Sequence, residues 1–182
     1  MNKEERISRA VGLYREGYNC SQAVCAAFAD LYGLTGEQAM RVSASFGGGI
    51  GRMRETCGAA CGMFILAGLD CGTTRADDRE GKLHNCEVVR ELAAEFRRRM
   101  GSMVCAELLG LTANRKAPST PTIPISPDNP PFQNPPAATP ALRKRPCVET
   151  IAEAARIFAE YFEKAHETSP SIHSPLNEIS LT

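Results

Sequence analysis

An all-α fold, a single-domain bundle of about six to seven helices, is predicted for this 182-residue chain. Three observations carry the prediction. Apolar residues recur at spacings of three and four in segment after segment, as a helix with one buried face requires. Capping residues stand where several of those segments begin, and glycines where some of them end. No segment alternates apolar and polar residues well enough for a strand.

The first helix is predicted over Glu4–Glu16, where Ile7, Ala10, Val11 and Tyr14 share a face and Gly17 ends the run. The second runs from an Asn19 cap to Tyr32, with Ala23, Val24, Ala27, Phe28 and Leu31 at helical spacing. Thr35 with Gln38 reads as a capping box opening a third helix to about Ser45. A glycine-rich break, Gly47 to Gly51, follows. The fourth helix is expected from about Arg54 to Leu69. Asp77 or Asp78 caps a long fifth helix to about Met100, with Leu83, Val89, Leu92, Ala93 and Phe96 facing inward. Gly101 breaks it, and Ser102 caps a short sixth helix to Leu109. The basic run Arg97–Arg99 suits the negative end of the fifth helix and reads as structural.

Composition then shifts. Ten of the twelve prolines lie between Pro118 and Pro146, too many missing amide donors for a helix or a central strand. The stretch 118–146 is therefore expected to be an extended insertion within one domain covering residues 1–166. A last amphipathic helix, about Val148–His166, carries Ile151, Ala155, Phe158 and Phe162. The polar stretch 167–182 is expected to be a disordered tail.

Several function classes are disfavoured at this stage. Formal net charge is zero, which gives no basic footprint for nucleic acid. The longest apolar run, Met63–Leu69, is far short of the roughly 20 residues a membrane span needs, so no membrane insertion is expected. The charged opening MNKEERISRA has no apolar signal core, and a cytoplasmic location is expected. The run Gly47–Gly51 lacks the Lys-Ser/Thr and the preceding strand of a phosphate loop. Its glycines Gly47, Gly48, Gly49 and Gly51 suit close approach of backbone to a bound group, or equally a tight turn between helices.

Eight cysteines remain to be explained. In a reducing compartment structural disulfides are disfavoured, and metal ligation or thiol redox chemistry is the better reading. With only three histidines, any metal centre is thiolate-rich, favouring iron–sulfur or zinc. Cys20, Cys57 and Cys147 fall at or near predicted helix starts, and Cys105 in the short sixth helix. Amides and the positive dipole end there favour the thiolate. Cys25, Cys61 and Cys86 fall inside helices, where free cysteine often serves as a small apolar filler. Cys61 is less clear, because it lies four residues after Cys57 and both thiols can face one way. Cys25 and Cys61 are kept as additional thiols, and Cys71 is read as an accessible thiol in a loop. There is no Cys-x-x-Cys pair, so any centre is assembled from distant segments. Arg52 and Arg54 flank the site, either offsetting its charge or simply solvated.

Gly17-Tyr18-Asn19-Cys20, the run Phe46 to Met53, the run Glu55 to Gly62, Gly101 to Gly110 and the late Cys147 together resemble the C_GCAxxG_C_C family of small redox-associated proteins. The resemblance covers about residues 5–165. It implies redox activity and four defining cysteines, which fall here on Cys20, Cys57, Cys105 and Cys147. A related domain accompanies an iron–sulfur centre in split-Soret cytochromes. An iron–sulfur cluster is thus the implied cofactor, with zinc as the alternative. Haem is not implied, since the haem-binding motifs are missing. The expected role is electron transfer or redox sensing with a redox partner protein of unknown identity. A metal-free thiol–disulfide protein and a structural zinc protein stay open, as do oxidoreductase activity and a homodimer in which two chains share the ligands.

Overall fold

Asn2 opens the first helix. Its side chain accepts the Glu5 amide at 2.9 Å, and the Glu5 carboxylate accepts the Asn2 amide in return. The same reciprocal cap recurs at Asn19 with Gln22 and at Thr35 with Gln38. The computed structural model describes residues 1–111 and 146–167. Its helices are α1 (Lys3–Arg15), α2 (Cys20–Ala26), α3 (Gly36–Ser43), α4 (Gly58–Cys71), α5 (Arg79–Met100), α6 (Cys105–Leu108) and α7 (Pro146–His166). Two 3-10 turns, Ala29–Tyr32 and Ala44–Phe46, extend α2 and α3. Among the described residues there is no strand, only an isolated antiparallel bridge between Thr56 and Val104. The fold is all-α, as predicted. No described helix is long and apolar enough to cross a membrane. The proline-rich stretch up to residue 145 and the tail 168–182 lie outside the described residues.

α2 and α4 pack along each other at the centre, with α3 on α2 and α5 on α4. α7 lies against α1, α5, α4 and α2, closing the bundle. Phe28, Phe96, Phe158, Met63, Leu66 and Ile151 are fully buried between them. Phe28 meets Phe158 edge to face at 5.1 Å. Two polar hubs bind α7 in place. Asp70, at the end of α4, accepts from Tyr32 Oη at 3.0 Å and Tyr161 Oη at 2.8 Å, and lies 3.0 Å from His166 Nε2. Arg99 donates to Glu95, Glu153 and Glu160, joining α5 to α7.

The structure corrects several boundaries. The predicted second helix stops at Ala26 and tightens into a 3-10 turn. Arg6 explains the break: its guanidinium donates to the Ala27 carbonyl at 2.9 Å and to both Asp30 oxygens, and stacks over the Phe28 ring. The fourth helix begins at Gly58 and not at Arg54, because residues 54–57 pair instead with residues 103–106. It also runs on to Cys71, so that thiol is not in a loop. Cys71 donates to the Ala67 carbonyl at 3.2 Å and accepts from Asn85. On α5 the buried stripe is Val88, Leu92 and Phe96. Leu83, expected inward, is 62% exposed, and Cys86, expected as core filler, is exposed too. Ser102 does not cap α6. Its hydroxyl accepts the Val104 amide at 2.9 Å, and Val104 occupies the capping position.

Candidate functional site

Each of the four cysteines singled out by position opens a helix. Cys20 is the first residue of α2, Cys57 the N-cap of α4, Cys105 the first residue of α6 and Cys147 the second of α7. Cys20, Cys57 and Cys105 are buried and Cys147 half-buried.

Two short backbone seams bring these helix starts together. The Cys57 amide donates to the Met103 carbonyl at 2.8 Å. The Cys105 amide donates to Glu55 at 2.6 Å, and Ala106 to Arg54 at 3.1 Å. These bonds carry Cys57 and Cys105 to one place from segments far apart in sequence. Cys20 arrives by helix packing. A Cβ on Gly58 would lie 2.4 Å from the Cys20 sulfur and 2.7 Å from the Phe46 carbonyl oxygen. Only glycine lets α4 approach that sulfur. Gly49 plays the same part for Cys105. It has φ +74°, and a Cβ there would stand 2.6 Å from Cys105 Cβ.

The glycine-rich run is a left-handed coil. Gly48, Gly49, Ile50, Gly51 and Arg52 all have positive φ, and Arg54 follows at +65°. The coil is closed by amides of residues 50–55 reaching back to carbonyls of residues 45–50. Gly47 is buried against the Asn19 side chain, and the Gly48 amide bonds the Cys20 thiol. Gly51 is different: it is exposed, with open space around it, and does not adjoin the cysteines.

Electrostatically the sulfurs form one neighbourhood. Burial raises the Cys20 thiol, the Gly48 amide opposes this, and the charges of Cys147 and Cys105 add to it. Cys57 is pushed up to about 12, first by burial and then by Cys20, against the Ala59 and Ala60 amides. Cys105 is raised by burial, opposed by the guanidinium of Arg54, and raised further by Cys147. Helix-start amides act in the expected direction at Cys57 and, after the Gly48 amide, at Cys20, but desolvation outweighs them, so Cys20, Cys57 and Cys105 are not the low-pKa thiols their positions suggested. A buried thiolate here needs a cation to make it favourable.

Cys61 also belongs to this neighbourhood. It is buried, its thiol points back toward the Thr56 carbonyl, and burial followed by Cys20 and Cys105 pushes it up to about 11. Cys25 does not join it. It is fully buried, held up at about 11 by burial and eased only by Ser43, as expected of a core cysteine. Cys71 and Cys86 lie elsewhere, on the far half of α4 and the outer face of α5.

Sequence reasoning missed two features. Ser21, beside Cys20, is fully buried and its hydroxyl has no hydrogen-bond partner among the described residues. A serine at the second position of a helix whose other buried residues are cysteine, alanine and valine was the available signal. The positive φ of Ile50, Arg52 and Arg54 left no signal, since none of them is glycine.

Among the described residues no three His, Cys, Asp or Glu side chains close around a common metal position. The residues nevertheless fit a thiophilic group in chemistry. The donor set is all sulfur, two glycines let backbone pack directly against Cys20 and Cys105, and an unpartnered buried hydroxyl belongs to the residue after Cys20.

The family model described as "Putative redox-active protein (C_GCAxxG_C_C)" matches residues 18–161. The chain belongs to this family. The part matched by the C_GCAxxG_C_C model holds Cys20, Cys57, Cys61, Cys105, Cys147 and the whole left-handed coil. No curated protein and no solved structure matches the chain.

Proposed function

We propose that this C_GCAxxG_C_C protein binds an iron–sulfur or related metal centre through Cys20, Cys57, Cys105 and Cys147, and acts in electron transfer or redox sensing. One observation supports the reading: three buried thiols and the half-buried Cys147, each from a separate helix start, share one neighbourhood in which their charges would act on one another. Neutral thiols sit there at no charge cost, but forming thiolates is costly unless something positive is held there. Ionising even one of these thiols works against burial, and ionising four adds mutual repulsion. A cationic centre reverses both terms, because thiolate is the form that ligates. When bound, an iron–sulfur centre would supply one-electron chemistry. Cys61 stands by as a fifth thiol in the same neighbourhood.

The metal-free thiol–disulfide reading is weaker on the same grounds. A nucleophilic cysteine needs a lowered pKa, and Cys57 and Cys61 are both pushed the other way. Zinc shares the ligand chemistry and is separated by analysis. Anaerobic purification followed by iron and acid-labile sulfide determination tests the reading. The expected result is a coloured protein with stoichiometric iron and sulfide, both lost when Cys20, Cys57, Cys105 or Cys147 is changed to Ser. A colourless, iron-free protein after anaerobic reconstitution overturns it, and one equivalent of redox-silent zinc replaces it with a structural role.

A further inference from the structure

Among the described residues only Ile50, Arg52 and Arg54 combine a side chain with a positive φ, and all three lie in the coil beside the cysteines. An L-residue in this conformation costs about 1 kcal/mol or more, and such strain persists only where surrounding contacts impose it. At Arg54 the contacts are explicit. Its amide donates to the Gly48 carbonyl at 3.3 Å, and its own carbonyl accepts from Ala106 at 3.1 Å. The next carbonyl, of Glu55, accepts from Cys105 at 2.6 Å. The backbone of Arg54 is therefore tied to both the coil and the start of α6. Its side chain is half-buried, and Nη1 lies 4.0 Å from the Cys105 sulfur.

A glycine would take φ +65° without strain. An arginine fixed there, clamped to the helix that begins with Cys105 and turned toward that sulfur, is held for its side chain. We infer that Arg54 is a positioning residue of the centre, with its guanidinium fixed as the counter-charge to Cys105. This rests on the four-thiol reading above. Guanidinium is charged at every pH the protein meets. A cation held beside a cluster ligand favours the reduced, more negative state, since charge and hydrogen bonding at the sulfurs set cluster potential.

The test uses full-length protein in four forms: wild type, Arg54→Gln, Arg54→Lys and Arg54→Gly. Each is reconstituted anaerobically, analysed for iron and sulfide, and titrated for reduction potential. The expected result is equal iron and sulfide in wild type and Arg54→Lys. Arg54→Gln should shift to a more negative potential, and Arg54→Lys should recover most of that shift. Unfolding of the reduced, metal-free proteins should show Arg54→Gly no less stable than wild type, because the substitution relieves strain. A loaded Arg54→Gln protein with the wild-type potential overturns the role of Arg54 and leaves the centre standing. A wild type that takes up neither iron nor sulfide overturns the centre and this role together. Strong destabilisation of metal-free Arg54→Gly shows a purely structural arginine and likewise overturns the inference.

Discussion

Two glycines of α4, ten residues apart in one helix, should respond in opposite ways to the same added methyl group. At Gly58 a Cβ would meet the Cys20 sulfur at 2.4 Å and the Phe46 oxygen at 2.7 Å. Overpacking of this kind costs about 1–3 kcal/mol. Gly68 lies in the same helix with nothing among the described residues within 4 Å of its added Cβ. There alanine gains about 0.5–1 kcal/mol from helix propensity. Denaturant midpoints of Gly58→Ala and Gly68→Ala should therefore move apart, the first down and the second up. If both rise, Gly58 is not a contact glycine and the approach of α4 to Cys20 is misjudged. The sequence displayed both glycines equally. Only the path of α2 across one end of α4 separates them, and that path depends on packing between segments far apart.

At the scale of elements, most of the helices could be read in advance because their signals are local. Asn19 with Gln22, Thr35 with Gln38, and Asp78 with Gly81 are caps complete within four residues. What could not be read was set by distant partners. The second helix carries apolar residues as far as Leu31, yet it breaks after Ala26 because Arg6 of α1 takes the Ala27 carbonyl. The fourth loses its expected first turn because residues 54–57 find partners at 103–106. The N-terminal half of α5 shows helical spacing, yet Leu83 and Cys86 are exposed among the described residues. Arg6 is the strongest test at this scale. It is 6% exposed and serves a carbonyl, a carboxylate and a ring at once. Arg6→Ala should lower stability by about 1.5–3 kcal/mol, the range for hydrogen bonds to charged groups, with the Asp30 share reduced by that residue's exposure. Unfolding of Arg6→Ala against Asp30→Ala separates the terms, since Asp30→Ala should cost clearly less. Equal losses would place the weight on the ion pair and not on the Ala27 carbonyl.

For the whole molecule, the site and the stability are linked through buried thiols. Burial holds Cys25 and Cys61 at about 11 and Cys57 at about 12. In the unfolded chain a cysteine titrates near about 8.5. The folded protein therefore binds these protons more tightly than the unfolded one. Their contribution to stability is complete below about pH 8.5 and falls as pH rises toward 11–12. Denaturant unfolding of the reduced, metal-free protein at pH 7, 9 and 10.5 should show a steady decline above pH 8.5, smaller in Cys25→Ala. A flat profile would mean that these thiols are not buried as described. Cys20, Cys57 and Cys147 could be picked out individually by position, because a helix start is a local feature, whereas Cys105 was read only as lying in the short sixth helix. Their meeting could not, because it depends on glycine contacts and on seams between segments tens of residues apart. Those same separations have a consequence during synthesis. Cys20 emerges first and Cys147 last, and at about 5–20 residues per second the interval is roughly 6–25 s. Throughout it the earlier thiols have neither their last companion nor the cover of α7. On the four-thiol proposal, the centre can be completed only after α7 has been made, so its assembly follows synthesis and does not accompany it.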